Sequence, residues 1–238
     1  MGVHRSSDRL VSADAPVLLS KAKLPRGFFE RDPLTCAREL IGCELFWNEC
    51  AGIVVETEAY AAKNDEACHT FMRPSARNFI ATHDAGAAYV YLNYGMHWLL
   101  NVLVKNGGED GFVLLRALQP TRGVETMASR RMSALKKGYS LRALCSGPGK
   151  LSQALEVRRA DHGRDLCSGK LVGFLPPHGP VRVTAALRIG ISKAAHLPWR
   201  FLLRGSEFVS AKADTSPRKP KPAAPGVRPL KTKKARPL

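Results

Sequence analysis

The sequence predicts an α+β fold: a single domain built on a curved, mainly antiparallel sheet with packed helices, followed by a disordered basic C-terminal tail. Three observations predict it. Strand-like runs arrive in pairs joined by short turns, instead of alternating with helices, which favours antiparallel hairpins over a parallel sheet. The chain has 238 residues and is 45% apolar, enough for one substantial core. Residues 212–238 carry nine Lys/Arg against one Asp, together with six prolines. That composition can neither form a helix nor bury apolar surface. The implied organisation is a flexible arm over residues 1–24, a folded domain over 25–211 and a disordered tail over 212–238.

Each element has its local reason. Asp32-Pro33 opens a helix, with Asp as N-cap and Pro at the first helical position. Leu34, Ala37, Leu40 and Ile41 then share a face, and Gly42 ends it. Leu45 to Trp47 and Gly52 to Glu58 read as two strands joined by a short turn. Residues 61–83 show no period and read as functional loop. Tyr89 to Leu92 and Trp98 to Val104 flank Asn93-Tyr94-Gly95, a hairpin with Tyr94 at its tip. A Gly-rich turn at 106–111 leads into a strand from Phe112 to Ala117. The pattern is helical from after Pro120 to about Ala134, and again from Ser146-Gly147-Pro148-Gly149-Lys150 to about Leu155. Val181 to Ile191 and Phe201 to Arg204 are the last strands.

Composition narrows the function. A formal charge of +17 is that of a protein that meets a polyanion. No apolar run approaches the roughly 20 residues of a membrane span, so no membrane role is expected. Residues 1–24 lack a charged-then-apolar signal pattern, which points to a chain that stays inside the cell. The six cysteines form no C-x-x-C pair and read as buried free thiols. Gly147-Pro148-Gly149-Lys150 is not a phosphate loop, because Leu144 stands where the first glycine belongs. Neither a Gly-x-Ser-x-Gly elbow nor an H-E-x-x-H or zinc-deaminase pattern occurs, so no metal or cofactor is called for.

What remains is Val54-Val55-Glu56-Thr57-Glu58-Ala59-Tyr60, an aliphatic run that ends in two acids. Residues two apart on a strand share a face, so Glu56 and Glu58 point the same way. Either this is an edge strand with a wet face, or its terminal Glu is a base on an active-site strand. Four of the five tyrosines fall between residues 60 and 94. Each is either ordinary core or, beside a carboxylate on a basic surface, a face on which an extruded base can stack.

These residues resemble a known family. Val54 to Tyr60, Arg77-Asn78, Tyr89 to Met96, Asn101-Val102 and Val113 to Ala117 are similar to motifs of the alkyladenine DNA glycosylases, the 3-methyladenine glycosylases of mammalian type. Leu144 to Leu151, Arg188-Ile189-Gly190-Ile191, Pro198 to Phe201 and Arg204-Gly205-Ser206 continue the match in order, from about residue 25 to 210. The resemblance implies a monofunctional enzyme of base excision repair, without cofactor. It would excise alkylated or deaminated purines (3-methyladenine, 7-methylguanine, hypoxanthine, ethenoadenine) from duplex DNA and leave an abasic site.

It also implies roles. Glu58 matches the base that deprotonates the attacking water, with Arg116 and the backbone carbonyl of Ile189 supporting that water. Tyr60, His69 and Tyr91 match the walls of the flipped-base pocket, and Asn101 the residue that crowds the 2-amino group of guanine. Tyr94 matches the side chain inserted where the nucleotide leaves the stack. Glu56 is assigned to structure. One departure stands out: Phe79-Ile80-Ala81-Thr82 follows Arg77-Asn78, where the family carries Met-Phe. The implied setting is a monomer acting on damaged duplex DNA, in the cytoplasm at the nucleoid if bacterial and in the nucleus if eukaryotic. The rival reading is a non-catalytic nucleic-acid-binding module.

Overall fold

A computed structural model describes residues 22–132 and 140–213. Most of the N-terminal arm, the end of the helix predicted to reach Ala134 and the basic tail from residue 214 lie outside the described residues. Among the described residues, no helix is long and apolar enough to cross a membrane.

The strands are β1 (Glu44–Trp47), β2 (Cys50–Ala61), β3 (Ala88–Asn93), β4 (His97–Val104), β5 (Gly111–Arg122), β6 (Val172–Leu175), β7 (Val183–Ala186) and β8 (Arg200–Leu203). They form one antiparallel sheet in the order β3-β4-β5-β2-β1-β6, with β8 paired to β2 and β7 to β8. The predicted curved antiparallel sheet with packed helices is therefore the observed architecture. β2 is its spine: β5 runs along one side, while β1 and β8 share the other. The edge-strand reading of Glu56 and Glu58 thus fails. Both acids stand on an interior strand and are fully buried.

The helices are α1 (Arg26–Phe29), α2 (Pro33–Glu39), α3 (His69–Met72), α4 (Pro74–Thr82), α5 (Val124–Arg131), α6 (Leu141–Cys145) and α7 (Pro148–Leu155). Helix α2 starts as its sequence dictates: Asp32 accepts from the amides of Leu34 at 3.0 Å and Thr35 at 2.9 Å. Gly42 closes the segment at φ +87°, a left-handed conformation that glycine adopts without steric cost. Strand alternation then sorts the side chains. Val90, Leu100, Val102, Val113 and Leu115 join the larger core, in which residues of α2 and α5–α7 also take part. Tyr89, Leu103 and Phe112 face the other way, onto Cys68, Ala76 and Phe79.

Four expectations are corrected. Residues 61–83, read as loop, hold α3 and α4. Helix α3, with four residues, is too short to display a period, and α4 buries only Ala76 and Phe79 of its nine. Strand β5 continues through Pro120 to Arg122; Pro120 stands opposite Gly52 at a pairing irregularity, where proline is tolerated. Only Val183–Ala186 of the predicted 181–191 strand is extended as a strand. Helix α6 and strand β6 were not anticipated; both are short and owe their form to neighbours.

The Asp32 cap supplies two bonds to otherwise unsatisfied amides. Asp32→Ala is expected to cost about 1 kcal/mol of unfolding free energy, read from the urea midpoint, without altering the far-UV spectrum.

Candidate active site

The site begins with an irregularity in pairing. Val54 pairs with Leu118, Glu56 with Ala117 and Thr57 with Leu115, so Val55 and Arg116 are extra residues on opposite strands. Two such bulges, one on β2 and one on β5, compensate for each other. In a regular strand Glu56 would share the face of Val54, which packs in the larger core. The Val55 bulge turns Glu56 and Glu58 away from that core, and the bulge on β5 turns Arg116 toward them.

Arg116 lies between the two acids. Its Nε donates to Glu56 Oε1 at 3.0 Å and its Nη1 to Glu58 Oε2 at 3.2 Å. Burial works against its charge, but the Glu58 and Glu56 carboxylates outweigh that and raise its pKa. Glu58 Oε2 also accepts the Tyr60 hydroxyl at 2.7 Å, and Oε1 accepts the backbone N–H of Ile189 at 2.7 Å. Burial, followed by the adjacent carboxylate, holds the Tyr60 phenol well above its ordinary value. Glu56 is occupied elsewhere as well, by Arg200 Nη1 at 3.1 Å and by both the amide and the hydroxyl of Ser210. Two acids and two arginines thus form a charge-balanced buried group, the arrangement a buried carboxylate requires.

In front of Glu58 lies a cavity of about 430 Å³ lined by Tyr60, His69, Tyr91, Asn101, Arg116 and Ile189 among others. That volume lies within the roughly 300–1,000 Å³ of small-molecule sites. The four residues expected in the base pocket, Tyr60, His69, Tyr91 and Asn101, and the two expected to support the water, Arg116 and Ile189, therefore line one space. Glu58 sits immediately behind it, bonded to three of the lining residues. Strand register explains the convergence: Glu58 pairs with Leu114, Leu114 with Asn101 and Asn101 with Tyr89, one row across four strands. The Asn101 amide group donates to the Tyr89 carbonyl at 3.1 Å, which fixes its orientation.

His69 begins α3 and packs edge-on against Tyr91, with centroids 4.3 Å apart. One of its ring nitrogens, Nδ1, lies 3.1 Å from the Tyr89 hydroxyl. Burial, and secondarily the Arg73 charge, lower its pKa to about 4, so the imidazole facing the cavity is neutral near pH 7. Burial likewise raises the Tyr91 phenol. Behind this wall stands the departure from the family pattern: Phe79 stacks on His83 at 4.0 Å and meets Tyr89 at 5.1 Å. Phe79 thereby backs the cavity wall at Tyr89.

Tyr94 is at the cavity's rim, 83% exposed, at the tip of the β3–β4 hairpin. It adopts φ +50°, followed by Gly95 at +69°, and the Met96 amide closes the turn onto Asn93. A left-handed backbone is uncommon for a bulky residue. Met72 and Met96 are similarly exposed.

Reading the sequence overlooked the supporting residues. Arg188 is buried between Tyr60 and Trp199, forms a two-point ion pair with Asp65 at 2.7 and 2.8 Å, and bonds the Ala59 and Ala194 carbonyls. It ties the loops on either side of the cavity to β2. Arg200 and Ser210 were likewise not anticipated. The one sequence signal was an arginine within apolar Trp199-Arg200-Phe201-Leu202, which demands a buried partner.

The family model for methylpurine-DNA glycosylase matches residues 27–207. A relative from Rhodopseudomonas palustris strain BisB18, provisionally named 3-methyladenine DNA glycosylase, is 45% identical over 194 residues, covering 79% of this chain and 90% of its own. Relatives with the same name from Koribacter versatilis and Rhizobium etli are 44% and 42% identical; they cover 82% and 78% of this chain and 96% and 87% of their own.

The low pKa of His69 gives stability a direction in pH. Protonation favours the unfolded chain, so this contribution is complete above pH 6.5 and is lost as pH falls from 6.5 toward about 4. Urea midpoints measured over that window are expected to rise with pH, and His69→Gln to flatten the rise.

Proposed function

The chain belongs to the methylpurine-DNA glycosylase family, and we propose that it flips alkylated or deaminated purines out of duplex DNA and hydrolyses the N-glycosidic bond with water activated by Glu58. The activity is that of a DNA-3-methyladenine glycosylase. The wider substrate range we propose is 3-methyladenine, 7-methylguanine, hypoxanthine and ethenoadenine. One observation carries the reading: a fully buried carboxylate, braced at the back of a purine-sized aromatic cavity, with an acceptor position to spare.

A carboxylate offers about four acceptor positions. In Glu58, Oε2 is filled by Tyr60 and Arg116, whereas Oε1, among the described residues, holds only the Ile189 amide. The attacking water is therefore placed on Oε1, with the Ile189 carbonyl and Arg116 as its further supports. As the bond to the purine breaks, positive charge grows on the sugar. The same carboxylate stabilises that charge and takes the water's proton. Tyr60, His69 and Tyr91 would enclose the flipped base, and neutral His69 would offer it a hydrogen bond. Asn101, fixed beside Leu114, would crowd the 2-amino group of guanine. Damaged bases unstack more cheaply, which adds selectivity.

Tyr94 is the side chain proposed to fill the gap in the stack, and its exposure and turn geometry suit a wedge. Monofunctional hydrolysis is supported by Lys193: among the described residues, the lysine lining the cavity is exposed and paired with Glu66 at 3.3 Å. A protonated, paired amine is a poor nucleophile. We assign the glycosylase domain to residues 25–211 of a monomer and, given the bacterial relatives, place it at the nucleoid.

Glu58→Gln is expected to abolish release of 3-methyladenine from methylated duplex DNA while lesion binding persists; undiminished turnover would remove Glu58 from this role. Tyr94→Ala is expected to weaken capture of a lesion-bearing duplex about tenfold or more, by analogy with the 1–3 kcal/mol per base of aromatic stacking. The salt slope of binding, set by phosphate contacts, should stay constant.

A further inference from the structure

We infer that Glu56 is a positioning residue for the reaction, holding the Arg116 guanidinium by Nε so that only Nη1 reaches Glu58. The inference rests on the reading of Glu58 as the base. Arginine and carboxylate prefer two parallel bonds, which are shorter and stronger than one. Arg116 makes a single bond to Glu58, and its Nε, one of the two donors of the side-on pair, is committed to Glu56. A two-point pair would engage both oxygens of Glu58, including Oε1, where the water is placed. It would also deepen the stabilisation of the ionised form and make Glu58 a weaker base. Division of the guanidinium between two acids keeps Arg116 on Oε2 of Glu58 and leaves Oε1, among the described residues, with the Ile189 amide alone.

Glu56 is itself fixed from behind. Arg200 Nη1 and the Ser210 hydroxyl reach Oε1 at 3.1 and 2.8 Å, and the Ser210 amide reaches Oε2 at 2.6 Å. Arg200 continues outward to the carbonyls of Ala211 at 3.3 Å and Lys212 at 3.1 Å, and inward to that of Leu187 at 2.7 Å. The segment around Ser210 is therefore a strap over the back of the site, and Leu187 leads directly into the Ile189 amide that holds Glu58. The charged and titratable groups around Glu58 are Glu56, Tyr60, Arg116 and Tyr91, with Arg200 beyond Glu56 and the Arg188–Asp65 pair beyond Tyr60.

The test is the pH dependence of single-turnover 3-methyladenine release from methylated duplex DNA, for the parent, Glu56→Gln and Glu56→Gln/Arg200→Gln. Removing Glu56 alone leaves Arg200 short of a partner, whereas removing both members of a buried pair is better tolerated. Arg116 loses its second acid in both variants. On folded protein, judged by circular dichroism, the acid limb of the profile should move down by about one pH unit, as expected when a neighbouring carboxylate is lost. The plateau rate should fall roughly tenfold or more, as misplaced reacting groups do. A residue that serves only folding would lower the yield or the melting temperature and leave the limb in place. An unmoved or upward-shifted limb overturns the inference, provided Glu58→Gln is inactive. Should Glu58→Gln remain active, the reading of Glu58 as base fails instead.

Discussion

The structure depends on a single guanidinium divided between two buried carboxylates. Arg116 bonds Glu56 through Nε and Glu58 through Nη1, and two carboxylates fully buried side by side demand such a partner. The requirement reaches back into the backbone. An unbroken ladder between β2 and β5 would place Glu56 on the face of Val54, within aliphatic core. Paired bulges at Val55 and Arg116 remove the conflict by turning the acids and the arginine to the same side. The sheet therefore gives up regular pairing where these three charged side chains meet, as it does again near the strand ends at Ala51 and Gly52.

From that point the site assembles by register. Glu58, Leu114, Asn101 and Tyr89 occupy one row across four strands, so Glu58 and Asn101 are two strands apart by construction. The remaining walls are α3 and irregular segments, and two arginines hold irregular segments to the sheet. Arg188 joins the segment carrying Asp65 to that carrying Ala194, while Arg200 joins the 187–189 segment to the strap at 210–212. Rigid strands supply position, and buried ion pairs hold irregular chain against them.

Much of this was legible in the sequence where local chemistry suffices. Asp32-Pro33 and Gly42 bound a helix as capping predicts, and Asn93-Tyr94-Gly95 forms the hairpin tip. Glu58, Tyr60, His69, Tyr91, Asn101, Arg116 and Ile189 were all expected at one site, and they meet there. What escaped was non-local. A bulge leaves no mark in a run such as Val54-Val55-Glu56, because alternation shows which residues differ but not which partner is skipped. Helix α3 is too short for a period, and α4 buries only Ala76 and Phe79 of its nine residues. Glu56 could be assigned to structure, but its three partners, on β5, β8 and the strap, lie 60, 144 and 154 residues away along the chain. No single-sequence pattern links such positions.

The central claim is that Glu58 holds the attacking water on Oε1 while Tyr60 and Arg116 retain Oε2. The most direct measurement is a crystal structure with a duplex in which a cationic pyrrolidine replaces the sugar of the lesion nucleotide. The account predicts that ring in the cavity and one ordered water bridging it to Oε1, with both donors still on Oε2. A carboxylate sealed off on both oxygens, with the pyrrolidine left in the helix, would contradict it.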